Sequence, residues 1–162
     1  MSEGHEKMVT KRILIGVDGS ENALRAVDLV TEIASKIGAS VTILNVIATS
    51  EKALFSGKSS GSMIEGGGSR HPQVLADMEA QEPIMSDERL HAAIGRIEGK
   101  GVEFDTALEF GHPADVILNY ASKGYDMIVV GSRGLGSIES LLMGSVSSKI
   151  VHHSKVPVLV VP

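Results

Sequence analysis

The chain of 162 residues contains no cysteine and no tryptophan, and only 3% of its residues are aromatic. Without cysteine it can form neither a disulfide nor a thiolate metal site, which fits a reducing compartment. We therefore expect a core of Val, Ile, Leu, Ala and Met. No apolar run is long enough to span a bilayer, and the opening MSEGHEKMVTKR lacks the apolar centre of a signal peptide. These absences predict a cytoplasmic protein.

Positive charge is also scarce, since 15 Lys and Arg residues face 20 Asp and Glu residues, for a net charge of −5. Proteins that bind nucleic acid usually carry a basic face, so this balance argues against nucleic acid as the main partner. A local site for a small anion remains open. A hydrophobic fraction of 43% and a charged fraction of 22% are ordinary for a globular protein. At this length they predict a single domain over residues 1–162.

Short apolar runs that are rich in β-branched residues alternate with helical patterns along the chain. One helix is predicted to begin after a cap at Ser20 and to end at Gly38, and another to begin at Pro113. Four runs are apolar on both faces, which is typical of strands covered by helices on either side. A fifth candidate strand, at 102–110, shows more alternation of apolar and polar residues. The four apolar runs are RILIGV (12–17), SVTILNVI (40–47), DMIVVG (126–131) and VPVLVVP (156–162).

The alternation of strands and helices predicts an α/β fold with an open, parallel, five-stranded, Rossmann-like sheet. Right-handed crossovers would place helices on both faces. We expect the strand order 3-2-1-4-5, in which the winding direction reverses between strands one and four. Ligands of such sheets bind beyond the carboxyl ends of the strands at this reversal.

The middle of the chain breaks this rhythm. From Ser56 to Ser69, ten of fourteen residues are Gly or Ser, which predicts a flexible insertion at about 50–85. A surface insertion and a lid over a ligand both remain open. After it, Ser86 is predicted to cap a helix whose apolar face is formed by Leu90, Ala93, Ile94 and Ile97.

A glycine-rich stretch, GSRGLGSIESLLMGSV, occupies residues 131–146. Its pattern is Gly131-x-x-Gly134, then nine residues, then Gly144-Ser145. It begins where a strand ends and closes where a helix begins. Helix starts present N–H groups and a positive dipole end to anions, and glycines let the backbone approach phosphate. With the hydroxyls of Ser145 and Ser147, this pattern predicts a phosphate cradle.

Two better-known cradles do not fit. No Gly-Lys-Ser or Gly-Lys-Thr completes a Walker pattern, which argues against rapid hydrolysis of the P-loop type. The first strand is followed by VDGSEN rather than by G-x-G-x-x-G, which disfavours classical dinucleotide binding. The histidines show no metal-ligand spacing, and no G-x-S-x-G supports a hydrolase triad.

Asp18 lies at the end of the first strand, and the predicted strand order would place it across one crevice from Gly131. Its carboxylate could accept hydrogen bonds from ribose hydroxyls. Taken alone, however, DGS is an ordinary turn sequence, so Asp18 could instead serve a turn or a helix cap. Arg133 could pair with phosphate or be a solvated loop residue, and both interpretations stay open.

These features together resemble the universal stress protein family, in its nucleotide-binding branch. The resemblance rests on the G-x-x-G-x9-G-S pattern, on VDGSENALRAV, on DMIVVGSRG and on the closing VPVLVV. It covers nearly all of the chain outside roughly residues 50–85. It implies binding of ATP or another adenine nucleotide, with AMP and cyclic AMP as further candidates. Mg²⁺ or Mn²⁺ would be held mainly by the phosphates, without direct protein ligands.

The resemblance also implies a role for particular residues. Asp18 matches the aspartate that contacts ribose, and Val46 matches the residue whose backbone reads adenine. Two segments match the halves of the triphosphate loop, and the neighbouring Val17 and Val130 complete the expected nucleotide site. The first half is Gly131, Ser132, Arg133 and Gly134, and the second half is Gly144, Ser145, Val146 and Ser147.

The resemblance implies a stress-response or regulatory switch that has an unknown protein partner and hydrolyses ATP slowly, if at all. A nucleotidyl-transferring or ATP-hydrolysing enzyme on a similar fold is the alternative, although VDGSEN matches neither HxGH nor SGGxDS. A purely structural dimer with an empty crevice is a third interpretation. The apolar run at 156–162 predicts an edge strand that pairs with a second copy, and the resemblance likewise implies a homodimer through this strand.

Overall fold

A computed structural model describes residues 11–48, 87–136 and 143–162. The predicted Gly/Ser-rich insertion and Ser86 lie outside these ranges. The described elements, in chain order, are β1 (Arg12–Val17), α1 (Glu21–Ile37), β2 (Ser40–Ile47), α2 (Glu88–Ile97), β3 (Phe104–Phe110), α3 (Pro113–Ala121), β4 (Met127–Gly131), α4 (Ser145–His153) and β5 (Val158–Val161).

The five strands form one sheet in the order β3-β2-β1-β4-β5, and every neighbouring pair is parallel. The α/β class and the predicted order are therefore confirmed. At the centre of the sheet, Ile15 lies between Ile43 of β2 and Val129 of β4. Predicted and observed strand ends differ by two residues at most, as is common at element ends.

Two hydrophobic clusters cover the two faces of the sheet. One face packs against α1 and α2 through fully buried residues such as Val27 and Leu90. The other face packs against α3 and α4, with Ile117 and Ile150 among the buried residues. The strands are consequently apolar on both sides, which explains why their sequences do not alternate. The prediction of helices on both faces is confirmed.

Local signals set the helix ends. Ser20 caps α1 by accepting a hydrogen bond from the N–H of Ala23, and Gly38 ends this helix with a φ of 66°, a conformation that glycine adopts without strain. Pro113 begins α3, as predicted. The prediction of Ser86 as the cap of α2 was wrong by one residue: Asp87 caps this helix through the N–H of Leu90.

Asp87 has a second contact that the sequence did not indicate. Its Oδ2 accepts a hydrogen bond of 3.0 Å from Asn45 Nδ2, and Asn45 of β2 is completely buried. A buried amide needs such a partner, because a lost hydrogen bond there would carry the full desolvation cost. This contact fixes the start of α2 against the carboxyl end of β2.

Within the described ranges, none of the helices has the combination of length and hydropathy that crossing a bilayer requires.

Candidate functional site

A cavity of about 250 Å³ opens at the carboxyl edge of the sheet, above β1 and β4. These adjacent strands are the point at which the winding direction reverses, and ligands of open α/β sheets bind at this point. Every predicted site residue except Ser132 lines the cavity: Val17, Asp18, Val46, Val130, Gly131, Arg133, Gly134, Gly144, Ser145, Val146 and Ser147. The structure thus brings together segments that are more than 100 residues apart in the chain.

One wall of the cavity is apolar, and sequence reasoning missed most of it. Leu44 joins Val46 there, and α3 contributes Pro113 and Ile117. Leu44 could have been found, because residues two apart on a strand share a face. Gly16 forms the floor, where a Cβ would lie only 2.8 Å from Ile117 Cδ1. The absence of a side chain at Gly16 therefore lets α3 approach β1.

The opposite end of the cavity is the start of α4. Gly144 occupies the N-cap position and supplies no side-chain hydrogen bond, and the first turn carries no acidic residue. The first N–H groups of a helix have no acceptor within the helix and carry a partial positive charge. This end of the cavity is therefore suited to an anion.

The two serines of this helix start differ in what they can offer. Ser147 is buried, and its hydroxyl donates to the carbonyl of Ser132 over 2.8 Å, with a weaker contact to Gly144 O at 3.1 Å. A hydroxyl has one proton to donate. Ser147 donates its proton to a backbone carbonyl of the protein, so it has no proton left to donate to a ligand. Ser145, by contrast, is exposed and lines the cavity.

Ser132 links three elements instead of lining the cavity. Its N–H donates to Val161 O of β5, and its carbonyl accepts from the N–H of Gly144. Its buried hydroxyl accepts from Asn22 Nδ2 of α1 over 2.9 Å. Its side chain thus lies on the α1 side of the sheet, and its backbone ties the start of α4 to the edge strand.

Asp18 takes the turn role that its sequence context allowed, and it also contacts the glycine-rich loop. Oδ1 accepts a hydrogen bond from the N–H of Ser20 at 3.0 Å, as a turn residue would. Oδ2 accepts one from the N–H of Leu135 at 2.9 Å, across the crevice. Among the described residues, Asp18 is the only acidic side chain in the cavity lining.

One ion pair joins the two helices, α3 and α4, that contribute residues to the cavity. Lys149 of α4 donates to Asp115 Oδ1 of α3 over 2.7 Å, and this hydrogen bond holds the pKa of the Asp115 carboxyl below its usual value. Both side chains are about half exposed, so the pair is screened by solvent and contributes little to stability. In the part of the chain that the structure describes, no group of three or more His, Asp or Glu side chains could hold a metal ion.

Comparison with known proteins identifies relatives along nearly the whole chain. A model of the universal stress protein family matches residues 10–162. Universal stress protein YxiE of Bacillus subtilis is 31% identical over 153 residues, which are 93% of this chain and 97% of the relative.

Two solved structures share the fold along nearly their whole length. The hypothetical protein MJ0577 has a TM-score of 0.66 and 25% identity, with 93% of this chain and 94% of that chain covered. A universal stress protein in complex with cAMP has a TM-score of 0.62 and 28% identity, with 94% and 97% covered.

The first glycine of the pattern allows a test of its structural role. A Cβ at Gly131 would lie 2.9 Å from both Ala23 N and the carbonyl carbon of Asn22, which are backbone atoms of α1. We expect Gly131→Ala to destabilise the fold by about 1–3 kcal/mol, the usual cost of overpacking. Urea denaturation measures this change.

The matched control is Gly95→Ala in α2, where a Cβ would have no neighbour within 4 Å in the part of the chain that the structure describes. Alanine is the better helix former, so this variant should gain about 0.5 kcal/mol. Equal stabilities of the two variants would contradict a close contact between β4 and α1.

Proposed function

Since the chain belongs to the universal stress protein family, we propose that it binds an adenine nucleotide in the cavity above β1 and β4. One observation carries the proposal. An apolar wall, a carboxylate and an uncapped helix start occur together in one cavity at the strand-order reversal. These three surfaces correspond to the base, the sugar and the phosphates of a nucleotide.

In the proposed arrangement, the base packs against Leu44 and Ile117, and the backbone of Val46 reads its edge. The ribose hydroxyls donate to Asp18. The phosphates extend towards Gly144–Ser147, where the α4 N–H groups and the Ser145 hydroxyl donate to them. The segment Gly131–Gly134 borders the phosphates from the β4 side, with Arg133 as a candidate cation.

A divalent ion, Mg²⁺ or Mn²⁺, would accompany a triphosphate. Such hard cations prefer oxygen ligands and are commonly bound through substrate phosphates with few protein carboxylates. We propose the same arrangement here, with phosphate oxygens as the main ligands. When bound, the ion would neutralise phosphate charge in the cavity. The residues of this chain would bind and orient the nucleotide.

The choice of adenine is supported by the similar universal stress protein that was solved with cAMP. That protein is 28% identical to this chain and covers 94% of it. We propose ATP as the ligand, with AMP and cyclic AMP as the competing candidates. All three nucleotides present the same base to the apolar wall. Contacts between their phosphates and the start of α4 should therefore determine which of them binds most tightly.

We propose a regulatory role in stress response, in which the loaded and the empty protein present different surfaces to a partner. Among the described residues that line the cavity, Asp18 and Arg133 are the charged ones. Asp18 already accepts a backbone hydrogen bond on each oxygen, which makes it a poor general base. This chemistry supports binding with slow hydrolysis at most.

The central test is the identification of the ligand. We expect the purified protein to release an adenine nucleotide on denaturation, which mass spectrometry would detect. Titration calorimetry of the emptied protein with ATP, AMP and cyclic AMP, each with Mg²⁺, then ranks the candidates. If none of them binds, the proposed function is wrong.

A single substitution can remove one N–H group from the start of α4. Proline is favoured at the first helical position, and Gly144 has φ −76° and ψ 167°, a conformation that suits a residue before proline. Ser145→Pro should therefore keep the fold. It should weaken ATP binding about tenfold or more, because hydrogen bonds to charged groups are strong.

The control is Ser145→Ala, which removes the hydroxyl but keeps the N–H group. Calorimetry should show a smaller loss of ATP affinity for this variant, and adenosine affinity should change little in either one. If Ser145→Pro binds ATP as the unmodified protein does, the phosphates lie elsewhere.

The edge strand β5 supports a second proposal, a homodimer through residues 156–162. The carbonyls of Pro157 and Val161 accept hydrogen bonds from the N–H groups of Ile128 and Ser132, on the β4 side. Alternate residues of a strand direct their backbone groups to opposite sides. Val158 and Val160 therefore offer theirs away from β4, where a second strand can pair.

We expect a dimer in sedimentation velocity at micromolar concentration. Val160→Pro removes one outward N–H without removing a hydrogen bond to β4, so it should shift the protein towards the monomer while circular dichroism stays unchanged. A monomeric unmodified protein under these conditions would refute the dimer.

A further inference from the structure

We propose that Asp18 is a positioning residue that clamps the glycine-rich loop to the end of β1, and that Gly134 is glycine because it must admit the Asp18 carboxylate. The clamp exists without ligand. Its effect on phosphate binding rests on the proposed function.

The two oxygens of Asp18 join distant parts of the chain. Oδ1 accepts from Ser20 N in the turn between β1 and α1, and Oδ2 accepts from Leu135 N, 117 residues further along. The Leu135 side chain is 64% exposed, so packing of that side chain does little to fix the loop. The backbone of the loop is held by this hydrogen bond instead.

A second hydrogen bond supports the first. The hydroxyl of Ser20 donates to the carbonyl oxygen of Arg133 over 3.4 Å, a long and therefore weak hydrogen bond. The turn after β1 therefore holds the loop at residue 133 and at residue 135, on both sides of Gly134. Together, the two contacts restrict the path of the backbone at Gly134.

Gly134 lies directly beneath the Asp18 carboxylate. A Cβ at this position would overlap Asp18 Oδ2, with Asp18 Cγ 3.6 Å away. Apart from the residues adjacent in the chain, Asp18 supplies all the atoms that lie within 4 Å of that Cβ among the described residues. Gly134 also does not have a positive φ. The need for glycine at this position is thus one of space, and the space is taken by Asp18.

Gly136 in the same loop presents the opposite case. Its φ is 74°, and a Cβ there would meet no atom of the described residues within 4 Å. Glycine is favoured there by backbone conformation. The cost of replacing Gly134 with alanine should therefore depend on the Asp18 side chain, whereas the cost of replacing Gly136 should not. This difference can be measured.

The consequence for ligand binding follows from the position of the loop. Residues 131–134 border the end of the cavity where we place the phosphates. A loop that is fixed before the ligand arrives loses less conformational freedom on binding, which raises affinity. Asp18 then acts on the phosphate end through Leu135, in addition to any direct contact with ribose.

The first test needs no ligand. Gly134→Ala is made in the unmodified protein and in Asp18→Ala, and urea denaturation gives the unfolding equilibrium constant of each. In the unmodified protein, the substitution should raise that constant about tenfold, as overpacking does. In the Asp18→Ala background there is no carboxylate to clash with. There, Gly134→Ala should lower the unfolding equilibrium constant about twofold, because alanine restricts the unfolded chain more than glycine does.

Gly136→Ala is the matched control for this cycle. Its effect on the unfolding equilibrium comes from backbone strain. The effect should therefore be the same in the unmodified protein and in Asp18→Ala. If Gly134→Ala has equal effects with and without the Asp18 carboxylate, the proposed pairing is wrong.

The second test separates the clamp from a ribose contact. We expect Asp18→Ala to weaken binding of 2′,3′-dideoxy-ATP about tenfold through loss of the clamp, and binding of ATP by at least that factor, because ATP also loses its ribose contact. The loss should be smaller for 2′,3′-dideoxyadenosine, which has no phosphates. A general collapse of the cavity would weaken all three equally, and a pure ribose contact would leave dideoxy-ATP unaffected. Either result would overturn the proposed action on the phosphate end.

If the unmodified protein binds no adenine nucleotide, the proposed function fails, while the denaturation cycle still decides whether Asp18 and Gly134 are paired.

Discussion

The parallel pairing of β1 with β4 is the constraint on which the site depends. It places Ile13–Gly16 beside Met127–Val130, although more than 100 residues separate these strands in the chain. The chain leaves β1 towards α1 on one face and, after β4, continues to α4 on the other face. The two connections diverge from adjacent strand ends, and the gap between them is the cavity. The floor, the carboxylate and the helix start all take their places from this one pairing.

Contacts of Ser132 hold the elements around the cavity in place. This residue follows directly after β4, and its N–H, carbonyl and hydroxyl contact β5, α4 and α1 respectively. Buried polar groups are costly unless they are paired, so each of these contacts favours a single arrangement of the three elements. The start of α4 is thereby positioned relative to the sheet by backbone hydrogen bonds, without relying on its own N-cap side chain.

The sequence was a good guide to what depends on local pattern. Continuous apolar runs predicted buried parallel strands, Ser20 and Gly38 predicted the limits of α1, and the position of the glycines predicted which strand end and which helix start would meet. These features are encoded within a few residues of where they act. The Leu44 contribution to the cavity follows from the alternation of the strand that already contained Val46.

The sequence was a poor guide to the direction in which each group points. Ser147 looked like a donor to a phosphate, yet its hydroxyl donates to the Ser132 carbonyl, and the buried hydroxyl of Ser132 accepts from Asn22. Gly131 looked like an opening for a ligand, yet its missing Cβ makes room for the start of α1. Each of these outcomes depends on an element far away in the chain. Spacing within one segment carries no information on that element.

The arrangement of charge in the cavity also determines how a nucleotide can lie in it. At 4 Å, two like charges in a partly solvated site repel by about 4 kcal/mol, so phosphates are disfavoured beside Asp18. Hydroxyls, by contrast, can donate to its remaining lone pairs. At the start of α4 the preference is reversed, because the N–H groups and the positive end of the helix dipole attract a charged phosphate more strongly than a neutral base. With Leu44 and Ile117 on the wall, these opposed preferences favour the proposed orientation, with the base on the apolar wall, the sugar at Asp18 and the phosphates at α4.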